Sequence, residues 1–362
     1  MIVVDSHQDL AWNMLTFGRD YTRSVEETRQ LEAGGQTPLR NGDSLLGWPE
    51  YQRGEVAVAF ATLFAAPERH KLGEWETLTY ADTNQAHKSY SAQLDAYQKL
   101  VDEHPGKFNL VQSLQDLNTI LAGWDNAAES QTPVGLVILM EGAEGVREPA
   151  ELEKWWQRGV RLIGPAWAGT RFCGGTREPG PLTGDGFALL ESMADFGMTL
   201  DISHMDEQAV LQAFDVYPGP LVATHSNPQA LLKDSDINRF LSDQVLQGLI
   251  DRDGVVGIPP YNKFLRWEWE PKHGRDAISL ELVVDHIDYV CQLAGDAKHV
   301  GIGTDFDGGF GLQSVPGEID TIADLQKLIP LLEKRGYTDN DTAAIMGENW
   351  LNKIRESLPE SS

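Results

Sequence analysis

The sequence predicts an α/β fold, a single (β/α)8 TIM-type barrel over residues 1–362. Three observations predict it. Eight apolar runs alternate with helical patterns along the chain. Most are continuous rather than alternating, as parallel strands covered on both faces require. Five of them end in His, Asp or Glu, which puts ionisable groups at strand C-termini, the face on which such barrels build their sites.

In chain order, strands are predicted at 2–5, 56–64, 134–141, 160–166, 198–203, 221–225, 255–259 and 300–305. Between them, Ser113 and Ser242 stand where helix N-caps belong, opening helices at 113–121 and 242–250. Further helices are predicted at 148–156 and 185–196, with Gly159 and Gly197 as stops. Those at 279–293 and 319–334 are closed by Gly295 and Gly336, and 338–358 reads as a last helix outside the barrel. Two long connections interrupt the rhythm. Residues 11–54 are rich in glycine and proline, and residues 66–133 contain a helix at 84–102. Both leave a strand's C-terminal end, so they are read either as a wall or lid of the site or as solvated excursions.

Composition narrows the function. Asp and Glu outnumber Lys and Arg 55 to 29, a formal charge of -26, which disfavours nucleic acid and anionic membranes as partners. The two cysteines, Cys173 and Cys291, imply no disulfide framework. No apolar run approaches the roughly 20 residues of a membrane span. The N-terminus reaches polar residues at once and reads as having no leader, so a cytoplasmic location is expected.

The chemistry lies in six side chains at five strand ends: His7 and Asp9, Glu141, His204, His225 and Asp305. His7 and Asp9 are two apart, so an extended backbone points both to one side. Singly, each has a plain structural reading as a hydrogen-bonded histidine or a capping aspartate. Together, three imidazoles and three carboxylates in one mouth repel and desolvate one another unless cations sit among them. Nitrogen and oxygen donors without a thiolate suit Zn²⁺.

The stretches Asp5-Ser-His7-Gln-Asp9, Met140-Glu141-Gly142, Asp201-Ile-Ser-His204, Thr224-His225-Ser226 and Gly303-Thr-Asp305-Phe-Asp307-Gly308 resemble the membrane (renal) dipeptidase family, a branch of the metal-dependent amidohydrolase barrels. The similarity extends to Arg53-Gly-Glu-Val-Ala-Val-Ala-Phe60 and Gly347-Glu-Asn349. The resemblance implies two zinc ions per chain, one on His7 and Asp9, the other on His204 and His225, with Glu141 bridging them. It makes Asp305 the general base and then acid, Arg239 the holder of a peptide's C-terminal carboxylate, and Tyr261 a substrate contact. It implies dipeptide substrates, tolerance of a D-residue on the C-terminal side, and pairing into a homodimer. Two positions depart from the pattern. Trp167 stands where better-known members carry a substrate-binding histidine, and Gln8 replaces an asparagine. Tryptophan offers only an indole N–H, so the site is open to a second reading as a hydrolase of N-acyl amino acids or cyclic amides. A third reading is a barrel that no longer hydrolyses.

Other candidates are set aside. His70, His87, His104 and His273 fall in polar, surface-like stretches. His286 reads as a structural histidine on an apolar-periodic helix, and His299 precedes the last strand, at the far end from the site. Asp307 is expected to orient the loop after Asp305. Cys173 has no base at a recognisable spacing, and its loop, 171–176, is a candidate pocket lining.

Overall fold

In the computed structural model, residues 1–125 and 131–361 are described; residues 126–130 of the second excursion lie outside them. Eight strands form one closed parallel sheet: β1 (Val3–Gln8), β2 (Val56–Phe64), β3 (Val134–Glu141), β4 (Val160–Gly164), β5 (Thr199–Asp201), β6 (Leu221–Ala223), β7 (Val255–Ile258) and β8 (Val300–Ile302). Closure comes from two pairings: β1 against β8, with Asp5 opposite Ile302, and β2 against β3, in register from Val58–Gly135 to Phe64–Glu141. A short strand, Phe108–Leu110, adds itself to the outer flank of β3 before the barrel closes.

The strands sit where the apolar runs placed them, but β4 to β8 end one to three residues early. His204, His225 and Asp305 therefore lie just past the ladder, whereas His7 and Glu141 are still within their strands. Every residue of these eight strands is buried except Phe64, as expected of sheet covered on both faces. The Ser242 side chain accepts Val245 N–H, capping helix Asp243–Asp251, and Gly295 and Gly336 take the left-handed conformation that ends their helices.

Three helical expectations change in detail. The segment 319–334 divides into a 3₁₀ stretch, Ile322–Lys327, and a helix, Leu328–Arg335, because Pro330 has no N–H to continue an α-helical ladder from before it. The last helix is interrupted by a π turn, Ala344–Glu348. Gly347 lies there against Ile2 and Val4 of the barrel floor, and Asn349 donates to the carbonyls of Ala297 (2.7 Å) and Val300 (2.8 Å). The excursion 11–54 is more ordered than its composition suggests. It contains helices Leu10–Phe17, Val25–Glu32, Thr37–Asn41 and Trp48–Arg53, each too short to show a clear period. A hairpin, Cys173–Gly175 with Glu178–Leu182, follows β4 and was not anticipated either.

Candidate active site

The mouth of the barrel is held in shape by buried polar contacts between the first and last strands. Asp5 accepts hydrogen bonds from Thr304 N (2.7 Å), Thr304 Oγ1 (2.5 Å) and Gln8 Nε2 (2.6 Å), and Tyr51 donates to Gln8 Oε1 (2.5 Å). The amide departure at residue 8 is thus absorbed in a closed network. Asp305 follows β8 in the left-handed region, φ 56°, with its N–H on the His7 carbonyl. Aspartate is among the few side chains that tolerate this conformation. A Cβ at Gly308 would lie 2.1 Å from Asp305 Oδ1 and 2.8 Å from Asp9 Oδ2, so the glycine of the Asp-Phe-Asp-Gly turn leaves room for two carboxylates. Asp307 is fully buried and bonded to Arg19, Tyr21, Ser44 and the Leu45 N–H, which makes it the anchor of this loop.

The six strand-end residues converge. Glu141 stands between two groups: its Oε2 lies 3.7 Å from His7 Nε2, and its Oε1 lies 3.0 Å from His204 Nε2 and 3.5 Å from His225 Nε2. His7 Nε2 is also 4.0 Å from Asp9 Oδ2 and 3.9 Å from Asp305 Oδ1. Three sets have donor atoms within 4.8 Å of one another: His7, Asp9 and Glu141; Glu141, His204 and His225; His7, His225 and Asp305. The donor chemistry fits divalent cations. His7 Nε2 is buried without a hydrogen-bond partner, and the Nε2 atoms of His204 and His225 face each other at 3.0 Å.

The electrostatics point the same way. Burial disfavours a charged His7, but Glu141, Asp9 and Asp305 overcome it and push the imidazole up to about 10. Burial and then Glu141 raise Asp9 to about 6, and burial raises Asp305 well above the usual carboxylate range. Glu141 is driven the other way: against its burial, His7 and His204 hold it low. Burial and Arg239 lower His204 to about 4, while burial and His7 depress His225. So strong a field on His7 is that of a site demanding positive charge.

A cavity of about 480 Å³ opens on this cluster. Arg239, Tyr261 and Trp167 all line it. Arg239 is buried rather than superficial. It donates to Ser203 O (2.8 Å), Ser226 Oγ (3.0 Å) and His225 O (2.7 Å), and has no acidic partner within ion-pair distance among the described residues. Tyr261 stacks on Phe310 with ring centres 4.3 Å apart, and Trp167 meets Phe64, His70 and His204 at 5.2, 5.9 and 6.1 Å.

The placement of His70 overturns its reading as a surface residue. It lines the cavity, with Nε2 2.8 Å from Glu178. Thr176 also lines the cavity, as expected of the loop 171–176, and so do Trp12 and Trp75, which were not singled out. Trp12 lies one helical turn after Asp9, a spacing that signals a shared face; Trp75 lies in irregular chain that offers no such signal. Of the excursions, residues around Trp12, Arg40 and Trp75 form walls of the site. His286 is buried with Asn227 and Leu265 as partners, and His299 bonds Gly254 O, away from the cavity. Burial raises the Cys173 thiol to about 12, which rules out a ready thiolate.

A closed β/α barrel whose mouth gathers imidazoles and carboxylates around a cation-demanding centre defines the class of metal-dependent hydrolase barrels. Within it, the chain belongs to the membrane dipeptidase family, peptidase family M19, whose model matches residues 1–359. It is 33% identical over 274 residues to a Klebsiella pneumoniae protein from the pqqA 5′ region, covering 73% of this chain and 94% of that one. It is 34% identical over 172 residues to the dipeptidase aclJ of Aspergillus oryzae, covering 48% of this chain and 38% of that one. The crystal structure of a Rhodobacter sphaeroides metallopeptidase, liganded with a phosphinate mimic of L-Ala-D-Ala, superposes with a TM-score of 0.77 over 99% of both chains at 23% identity.

Proposed function

We propose that this protein is a dizinc dipeptidase that hydrolyses the peptide bond of short peptides bearing a free C-terminal carboxylate. The observation that carries the reading is Glu141, one carboxylate whose two oxygens face two separate histidine groups. Membership of the dipeptidase family supports it. His7, Asp9 and Glu141 would hold one zinc, and Glu141, His204 and His225 the other. Bound there, the pair would acidify a water and polarise the scissile carbonyl.

The chain's own residues do the rest. Asp305, within 4.8 Å of the His7 and His225 donor atoms, takes the proton of the attacking water and returns it to the departing amine. Its burial favours the protonated form, which suits the second step. Arg239 has two of its five N–H groups without an acceptor among the described residues, in the cavity it lines, and these bind the substrate carboxylate. Burial keeps the Tyr261 phenol protonated, so its hydroxyl serves as a donor to the bound peptide. Trp167 packs as an apolar wall with Phe64 and excludes water from the bond being cut. Support for a cytoplasmic location is the pair of free, buried cysteines. No helix among the described residues is long and apolar enough to cross a membrane.

The test is amino-acid release from a panel of dipeptides with L and D C-terminal residues, by zinc-loaded protein, beside Glu141→Gln and N-acetylated substrates. Cleavage of free dipeptides that the substitution abolishes is expected. Cleavage of the acylated compounds alone would replace this reading with that of an N-acyl amino acid hydrolase.

A further inference from the structure

Beneath the donor cluster lies a hydroxyl that the assignment above does not use. Thr224 Oγ1 is 3.3 Å from His7 Nδ1 and 3.1 Å from His225 Nδ1, although residues 7 and 224 are 217 positions apart. It also lies 2.7 Å from Asp201 Oδ2. A hydroxyl has one proton and two lone pairs, so its bonds can be counted. Asp201 Oδ1 already accepts from Ser203 N (3.0 Å), Ser203 Oγ (2.5 Å) and Thr224 N (3.0 Å), and Thr224 supplies the proton for Oδ2. The Ser203 proton is committed to Asp201, so the 3.2 Å approach of Ser203 Oγ to Thr224 Oγ1 brings no donor. Only the two imidazoles remain to fill the threonine lone pairs. Both must carry their proton on Nδ1.

We infer that Thr224 is a positioning residue common to both halves of the site. Held by Asp201, its single hydroxyl fixes the Nδ1–H tautomer of His7 and of His225 together, and so turns both Nε2 lone pairs toward Glu141. The third histidine is served separately, by Thr176 Oγ1 at 2.9 Å from His204 Nδ1. This inference rests on the reading of His7 and His225 as ligands of different ions. Partners of this kind, when removed, typically weaken metal binding about 10–100-fold.

The test compares Thr224→Val, which keeps shape and loses the hydroxyl, with Thr224→Ser, which keeps it. Zinc affinity of both sites is read by chelator competition, with folding checked by circular dichroism. Thr224→Val should lose about 10–100-fold at both sites, and Thr224→Ser should stay near wild type. Loss at one site only, or at neither, overturns the inference. If Thr224→Val does not fold, ¹⁵N-histidine NMR of the zinc-loaded wild type decides. Protons on Nδ1 of His7 and His225 are required, and a proton missing from either refutes the sharing. A wild type that binds no zinc would instead sink the dizinc reading itself.

A separate observation concerns charge. The chain carries -26 overall, yet beyond the donor cluster the charged side chains lining the cavity are Arg40, His70, Glu76, Arg177, Arg239 and Lys263, five of them basic in type. Arg40, Arg177, Arg239 and Lys263 have no acidic partner within 4.0 Å among the described residues. Glu76 accepts the Leu72 N–H, and His70 is paired with Glu178. Arg177 and Lys263 adjoin Arg239 through their neighbours: the Arg239 guanidinium lies 5.4 Å over the ring of Phe264, which follows Lys263, and the Lys263 ammonium donates to the Trp267 carbonyl. The Arg177 N–H is bonded to Asn238, and Lys263 stands 4.3 Å over Trp267. With Arg239 on the main-chain carboxylate, the geometry points to a second anion bound by Arg177 and Lys263, so that dipeptides ending in Asp or Glu are preferred substrates. This deepens the dipeptidase reading and depends on it.

Values of kcat/KM for Ala-Asp and Ala-Glu against Ala-Asn and Ala-Gln, with either hand at the C-terminal residue, test it. The acidic members should be favoured about tenfold, the equivalent of one charge-assisted contact. Arg177→Gln combined with Lys263→Gln should bring the ratio near one. Equal rates in the wild type, or a ratio that survives the double substitution, overturn the preference. Failure to cleave any of the four overturns the dipeptidase reading.

Discussion

Replacing Gly308 with alanine adds one methyl group at the most crowded point of the site. Gly308 does not have a positive φ, so the backbone itself accepts an alanine. The added Cβ would stand 2.1 Å from Asp305 Oδ1, where ordinary contact begins at 3.4 Å, and 2.8 Å from both Asp305 O and Asp9 Oδ2. Something must move by more than about 1 Å. The Asp305 carboxylate is the freest of the three, because the carbonyl is backbone and Asp9 is held by Thr62. A displacement of about 1 Å in a reacting group is enough to lower turnover about 100-fold. The expected result for Gly308→Ala is therefore a kcat reduced about 100-fold on a dipeptide substrate. KM and zinc content should change little, because Arg239 and the three histidines are untouched. Steady-state kinetics, metal analysis and a crystal structure of the variant provide the check. A kcat within threefold of wild type, with Asp305 in place, would refute the account of why this turn requires glycine.

Asp305→Asn should retain both zinc ions while kcat falls about 10²–10⁴-fold, the usual contribution of a positioned acid–base group; loss of metal instead would make Asp305 a ligand. Arg239→Lys keeps the charge but not the planar fork. It should raise KM for dipeptides by about tenfold and leave dipeptide C-terminal amides unaffected, and an equal effect on both would deny it the carboxylate. His286 gives a prediction for pH. Burial holds its imidazole down at about 4 against an ordinary 6.5, so between those values the unfolded chain binds the proton that the folded one refuses. The associated stability is complete above about pH 6.5 and is lost as pH falls toward 4, up to about 3 kcal/mol. Urea midpoints for wild type and His286→Gln at pH 7.5 and 5 should show a shallower pH dependence in the variant. Identical slopes would locate the acid sensitivity elsewhere.

The strand ends of this protein are legible because they are local. An unbroken apolar run shows where a buried parallel strand lies, and the residue that ends it lies on the site face whatever the rest of the chain does. That is why His7, Asp9, Glu141, His204, His225 and Asp305 could be read as one group across nearly 300 residues, and why Asp307 and His286 could be set aside. What surrounds them was not local. His70 sits in a polar stretch and looked superficial until the loop after β2 folded back over the mouth. Arg239 is in a segment with no periodicity, and only the packing of that segment against β5 and β6 buried it on the carbonyls of Ser203 and His225. No sequence spacing relates the hydroxyl of Thr224 to the rings of both His7 and His225, because barrel closure brings β1 beside β6 by way of β7 and β8. The sequence by itself determined the barrel, its polarity and the ionisable residues at its mouth, through the unbroken apolar runs and the 3.6-residue periods that each segment carries within itself. The tertiary structure alone decided which oxygen of Glu141 faces which histidines, which basic side chains line the cavity and which hydroxyl meets the rings of both His7 and His225, because those depend on how distant loops and staves meet.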